Sequence, residues 1–325
     1  MVEPTRAQVA VDARRGPLDA EAADAVRRLA ADATAADGIA PISEQPLLWL
    51  QDPEAPVEHL LAHRGDGNLA GYAQVDVGAT TTAPAELVVH PAARRESVAS
   101  ALLEAAHATA AGEPGRTLRV WAHGALPAAR AFAASTGMPV VRELWRMRLD
   151  LGRHPLAAPR PLPPHVTVRP FVPGEDEEAW RRVNSRAFAH HPEQGRMTSA
   201  DLRAREAEPW FDPAGFLLAE REGLLLGSVW TKVHAAGELG DRPVGEIYVV
   251  GVDPDAQGLG LGGALTDRGL AYLAAAGLQE VILYTGAENE VAIRTYRRVG
   301  FERSAVDVMF GSDTPGSPHG ATMAP

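Results

Sequence analysis

The chain has 325 residues, 46% hydrophobic and 22% charged, with a formal net charge of −11 and no cysteine. That apolar fraction can fill full-sized cores, and the length suits two domains better than one. The missing thiols exclude a disulfide framework and a cysteine nucleophile, and the acidic balance argues against a nucleic-acid partner, which would want a basic face.

No stretch approaches the roughly 20 apolar residues of a membrane span, and the N-terminus lacks the charged-then-apolar pattern of a secretory signal. A cytoplasmic monomer with no membrane partner is therefore expected.

In chain order, residues 1–10 read as a loose lead-in. Leu18 to Ala36 predicts a helix, with Asp19 near its start and Val26 and Leu29 as its apolar residues. Ile39 to Leu50, interrupted by Pro41 and Pro46, predicts a loop entering a short helix that carries Glu44 and Gln45. Leu60–Ala62 and Ala70–Val77 predict paired strands across the turn Gly65-Asp66-Gly67-Asn68. A strand over Glu86–Val89, a helix over Val98–Ala111, a strand over Leu118–Ala122, a helix over Pro127–Ser135 and a strand over Val140–Leu149 follow. Residues 152–164 hold five prolines and read as an extended, semi-rigid linker.

The second half opens with a strand over Val166–Arg169 and a helix over Glu175–Phe188. A polar loop then carries His190, His191 and Glu193; adjacent histidines rarely converge on one ion, so no metal is expected there. Phe216–Glu220 and Leu225–His234 predict a hairpin, Ile247–Val252 a buried strand, Leu265–Ala275 a helix and Val281–Tyr284 a strand before a closing helix. The Ser/Pro/Gly-rich tail from Gly311 is expected to be disordered. The expected division is thus a domain over 1–151, the linker over 152–164, a second domain over 165–310 and the tail.

The halves repeat each other. A shift of 163 residues aligns 86–138 with 249–301 without a gap, placing Pro91 on Pro254, Trp121 on Tyr284 and Gly137 on Gly300. The same register sets Ala83 opposite Glu246, Leu126 opposite Asn289, Ala133 opposite Tyr296, and Ser97 and Ala99 opposite Gly260 and Gly262. Two copies of one α/β fold are expected, with the first stripped of its reactive groups.

In the second copy, Asp253-Pro254 ends the strand and Gln257-Gly258-Leu259-Gly260-Leu261-Gly262 leads into the helix. A strand feeding a glycine turn that opens a helix outlines an anion site, because backbone N–H groups and the helix dipole face the ligand. Unliganded glycine turns share that outline. The spacing is neither Gly-x-Gly-x-x-Gly nor a P-loop, since no Lys-Ser/Thr follows. It matches Gln/Arg-x-x-Gly-x-Gly, the pyrophosphate loop of acetyl-coenzyme A-dependent GNAT N-acetyltransferases. Asn289, Ala292, Tyr296, Gly300 and Phe301 resemble the same family's closing Asn-x-x-Ala-x-x-x-Tyr-x-x-x-Gly-Phe. The resemblance implies two tandem GNAT domains, each a mixed α/β sheet, and acetyl-coenzyme A as co-substrate without a metal.

Acetyl transfer to an amine needs a neutral nucleophile and a proton for the departing thiolate. Glu246, at the start of the central strand, is a candidate base; the alternative is a solvated strand-end carboxylate. Tyr296 is a candidate acid, because a phenol of pKa near 10 stays protonated at neutral pH; the alternative is an aromatic packing the last helix. Backbone around Val250, Gly251 and Val252 would hold the pantetheine arm. Lys232 is the only lysine of the chain, and in isolation reads as a surface strand residue.

The resemblance narrows at His191-Pro192-Glu193-Gln194-Gly195, Trp210-Phe211-Asp212-Pro213, Trp230-Thr231-Lys232-Val233-His234 and Gly245-Glu246-Ile247-Tyr248-Val249, which together look like the mycothiol synthase (mycothiol acetyltransferase) family. That family acetylates the cysteinyl amine of cysteinyl-glucosaminyl-inositol. The resemblance implies that Glu44, Glu193, Lys232, Glu246 and Tyr284 contact this small-molecule substrate. It implies that Val250 to Val252, Gln257, Gly258, Leu259, Gly260, Leu261, Gly262 and Gly263, and Asn289, Glu290, Val291, Ala292, Ile293 and Arg294 hold the cofactor. Leu87, Val88, Val89, Arg94 and Arg95 match a second, non-productive coenzyme site, where Ser97 and Ala99 replace the family's glycines and are expected to crowd the phosphates. An acetyltransferase acting on another amine, such as an aminosugar, and a non-catalytic acetyl-coenzyme A sensor are the competing readings.

Overall fold

The computed structural model describes residues 9–65, 67–189 and 194–311. These form two compact units, one of residues up to Glu143 together with those from Val306, the other of Leu144–Ala305. Glu193, the two adjacent histidines and the tail from Ser312 lie outside the described residues.

The first unit begins with β1 (Ala10–Arg15), a strand the sequence reading left unassigned beyond a lead-in ending at residue 10, and α1 (Ala20–Asp37). Helix α1 starts where the Asp19 side chain accepts the Ala22 N–H at 2.8 Å, and it ends at Gly38 in the left-handed region. There follow α2 (Glu44–Leu48), β2 (Val57–His63), β3 (Leu69–Asp76), β4 (Thr82–Val89), α3 (Val98–Ala110), β5 (Thr117–Ala122) and α4 (Pro127–Ser135). The sheet order is β1-β2-β3-β4-β5, closed on the far side by the end of β12 (Glu302–Gly311), where Val308 pairs with Ala122. Only β4 and β5 run parallel. Alternate residues serve two cores: Leu60 packs with Leu102 and Leu103 of α3, while Leu61 and Tyr72 pack with Val26 and Leu29 of α1. Burial on both faces explains why these strands read as nearly continuous apolar runs.

The second unit comprises the end of β6 (Val140–Asp150), then β7 (Thr167–Pro170), α5 (Glu177–Ala187), α6 (Ser199–Glu206), β8 (Phe216–Arg221), β9 (Leu224–His234), β10 (Val244–Val252), α7 (Leu261–Ala275), β11 (Glu280–Gly286) and α8 (Glu290–Val299). Its order is β6-β11-β10-β9-β8-β7, with β10 and β11 the parallel pair. Leu265 and Leu273 of α7 cover one face with Val229, Ile247 and Leu283. Trp180 of α5 covers the other, with Trp230 and Phe216 stacked 4.4 Å apart between centroids. Helices α3 and α7 start 163 residues apart, as do α4 and α8, so the repeat read from the sequence is a repeat of elements.

The proline-rich stretch is not a boundary. Leu156 and Leu162 pack onto the core of the second unit, and Arg160 forks onto Asp267 of α7 at 2.6 Å from two nitrogens. The units divide instead inside β6 and β12, because the last strand of each half is built into the other half's sheet. Gly311, expected to open the disordered tail, is the last residue of β12. Among the described residues no helix is long and apolar enough to cross a membrane.

The first unit encloses a charged cluster that hydropathy does not reveal. The Glu86 carboxylate accepts the Ser43 N–H and hydroxyl, each at 2.6 Å, and faces His123 Nε2 at 3.2 Å. His123 Nδ1 lies 3.3 Å from Asp307, which also accepts the Gly124 N–H at 2.7 Å. Burial works against a charged His123, but the charge of Glu86 and the hydrogen bond to Asp307 outweigh it and raise its pKa to about 10. The stability this contributes is complete below the unfolded value of ~6.5 and is lost as pH rises through about 10. His123→Gln should lower the urea midpoint at pH 7 by the equivalent of about 3–5 kcal/mol, the usual result of breaking a buried pair. It should also flatten the alkaline decline of wild-type stability; identical slopes for the two proteins would show that His123 is not the titrating group.

Candidate active site

Strand β10 carries the site because it leaves its ladder. It pairs with β11 only through Gly245, Glu246 and Ile247, although β11 continues to Gly286. On its other side the register with β9 jumps from Ile247–Thr231 to Val249–Trp230, so Tyr248 is an extra residue in a bulge. Bulges bend and twist a strand and break off pairing. Beyond Ile247 the backbone groups of β10 on the side of β11 are thus outside the ladder between the two strands. In the first unit, β4 has no such bulge and pairs with β5 over five residues, from Thr82 to Glu86.

Glu246 lies just before the bulge, 6% exposed, and stands directly opposite Lys232 in β9. The Lys232 ammonium sits 4.4 Å above the Trp210 ring and 5.4 Å from that of Tyr248, whose hydroxyl accepts the Arg205 Nε–H at 2.7 Å. Two aromatic faces thus hold the only lysine of the chain on the same sheet face as Glu246. His234, two residues further along β9, places Nε2 2.6 Å from Glu246 Oε2. Burial lowers the His234 pKa, yet the hydrogen bond and charge of Glu246 prevail, so the ring titrates above its usual value. The sequence reading missed His234, Arg205 and Trp210 as site residues; the alternation Trp230, Lys232, His234 within one strand was the available signal.

Val250, Gly251 and Val252 complete β10 against Val229, Ser228 and Gly227. The chain then turns through Gln257, and Gly258 and Gly260 adopt φ of +81° and +77°, with Gly260 capping α7. An added Cβ would touch nothing within 4 Å at either, so these glycines answer a backbone requirement. Leu259 is 48% exposed, and the first N–H groups of α7 have no side-chain cap. Such a cradle suits the pyrophosphate of a coenzyme, with Leu261, Gly262 and Gly263 supplying further backbone donors. At α8, Asn289 caps its own helix by accepting the Ala292 N–H at 3.1 Å. Glu290 and Arg294 pair at 3.0 Å on the surface, Val291 is exposed, and the Ile293 side chain is buried, leaving only its backbone for a ligand. Tyr296 is half-buried against Phe301, 5.8 Å between centroids, and burial raises its pKa. Tyr284 in β11 is 38% exposed.

Glu44 begins α2 of the first unit, and Leu87, Val88 and Val89 end β4. The loop after them keeps the geometry of the glycine loop without its glycines: Arg95 and Ser97, opposite Gly258 and Gly260, hold φ of +70° and +66°. Arg94 is committed to Asp37 through bonds of 2.8 and 2.6 Å. Gly260→Ala should cost about 1–2 kcal/mol from left-handed backbone strain alone, whereas Ser97→Gly should stabilise by up to about 1 kcal/mol. Urea titrations of both variants check the opposite signs.

Residues 24–138 and 179–301 each match the model of the acetyltransferase (GNAT) family. A mycothiol acetyltransferase of Cellulomonas flavigena is 63% identical over 98% of this chain and 93% of its own length. One from Sanguibacter keddieii is 57% identical over 92% of this chain and 95% of its own. A solved GCN5-related N-acetyltransferase of Sphaerobacter thermophilus superposes with a TM-score of 0.64 at 26% identity, covering 97% of this chain and 98% of its own.

Proposed function

The chain belongs to the acetyltransferase (GNAT) family and, within it, to the mycothiol acetyltransferases, and on that premise we propose that it moves acetyl from acetyl-coenzyme A to the cysteinyl amine of cysteinyl-glucosaminyl-inositol. The observation that carries this reading is the buried Glu246 opposite Lys232, at the point where β10 parts from β11 and runs on to the glycine loop. Acetyl-coenzyme A supplies the acetyl group as a thioester when bound. The N–H groups of Gln257 to Gly263 and the N-terminus of α7 would hold its phosphates, and the backbone of Val250 to Val252 on the side away from β9 would align its arm. Residues Asn289 to Arg294 line its other side through their backbone and the capped start of α8.

Glu246 takes the ammonium proton of the acceptor, directly or through water, and so frees the amine lone pair. Tyr296 stays protonated because burial raises its pKa, and it donates to the sulfur as the thiolate departs. Lys232, fixed by Trp210 and Tyr248, offers charge-assisted hydrogen bonds to the acceptor's hydroxyl groups, and the exposed Tyr284 offers a further one.

Incubation with cysteinyl-glucosaminyl-inositol and acetyl-coenzyme A should release coenzyme A and acetylated product; turnover of simple aminosugars alone would replace the acceptor assignment. Tyr296→Phe should lower kcat by roughly 10²–10⁴ with little change in coenzyme affinity. Glu246→Gln should lose a similar factor at neutral pH and regain part of it at alkaline pH, where the amine deprotonates unaided. A mutant pH–rate profile parallel to the wild type's would remove Glu246 from the role of base.

A further inference from the structure

We propose that His234 is the positioning residue for Glu246, clamping one carboxylate oxygen so that the other is presented to the acceptor amine. The inference rests on the reading of Glu246 as base. Three side chains form an ordered array: Glu246 Oε2 to His234 Nε2 at 2.6 Å, and His234 Nδ1 to Glu238 Oε2 at 3.1 Å. Side-chain exposure climbs along it from 8% at Glu246 to 13% at His234 and 54% at Glu238. The β9–β10 register produces the inner contact. Val244 stands opposite His234 and Glu246 opposite Lys232, so Glu246 and His234 are diagonal neighbours on one sheet face.

An imidazole between two carboxylates bonds both of them only when both nitrogens carry protons, and that imidazolium is the form which orients Glu246 and opposes its protonation. The charged groups facing the ring are Glu246 from β10, Glu238 from the loop after β9, and Lys232 from β9 itself. Burial and Lys232 disfavour the imidazolium, and the two carboxylates favour it more. The Lys232 ammonium lies over the Trp210 and Tyr248 rings. Glu238 holds the ring from its solvent side, which fixes the plane in which Nε2 meets Glu246.

The test is a pH profile of kcat/KM for the acceptor with His234→Gln and His234→Asn, each checked for an unchanged thermal transition and unchanged acetyl-coenzyme A affinity. The expected result is a roughly 10- to 100-fold fall at neutral pH, smaller than for loss of the base itself, with the acid limb displaced upward by about one to three pH units. Glu238→Gln should displace it in the same direction by less. The double variant His234→Gln/Glu246→Gln should be no slower than Glu246→Gln alone, since the imidazole acts only through that carboxylate. A uniform loss with the acid limb unmoved, or additive losses in the double variant, would overturn the inference. If Glu246→Gln itself left the profile intact, the failure would belong to the assignment of the base.

Discussion

A strand that stops pairing with its parallel neighbour after three residues is the constraint from which the candidate active site follows. β-Ladders satisfy backbone groups by default, and an interior strand that abandons one is costly unless a ligand or water takes over the unused groups. The bulge at Tyr248 resolves that tension. It lets β10 resume its register with β9 on one side, from Val249 opposite Trp230, while parting from β11 on the other. Glu246 and the glycine loop that opens α7 thus follow one another along one strand and its exit. Removing the extra residue would slip the register beyond it by one and turn every side chain there to the other face.

The first unit shows what the fold retains when that constraint is relaxed. Its β4–β5 pair stays zipped for longer, Ala83 is fully buried where the second unit has Glu246, and the interior charge is spent on a cluster that binds the Ser43 turn to its own sheet. The loop over Arg95 and Ser97 nevertheless keeps two left-handed residues, each of order 1 kcal/mol in strain. The path of the backbone there has outlived the glycines that made it easy.

Much of this was legible in the sequence. The fold class, the repeat and the glycine loop could be read because they rest on local periodicity and spacing. Helix α7 begins at Leu261 rather than at the expected Leu265, since Gly262-Gly263 read as part of the turn. Helix α6 went unread despite its signature: Thr198 and Asp201 form a reciprocal capping box. Strands β1 and β12 were missed because their partners are distant and their own patterns are weak; Glu302, Arg303 and Ser304 open β12 on the exposed side. The environment of Glu246 was beyond reach for another reason. Its contact with His234 and its opposition to Lys232 both depend on the register of two strands, which no composition announces. The aromatic seat of Lys232 draws on Trp210, from a stretch with no strand or helix pattern.

The exchange of final strands has a consequence for how the protein is made. The first unit needs β12, whose Val308 to Gly311 pair with β5, and these residues are translated after the whole of the second unit. A ribosome-bound nascent chain therefore carries β5 as an open sheet edge for most of the time the protein is under synthesis, and open edges are templates for wrong pairing. The second unit has no such wait, because β6 precedes everything it pairs with. The half that is translated first is thereby the half that finishes folding last.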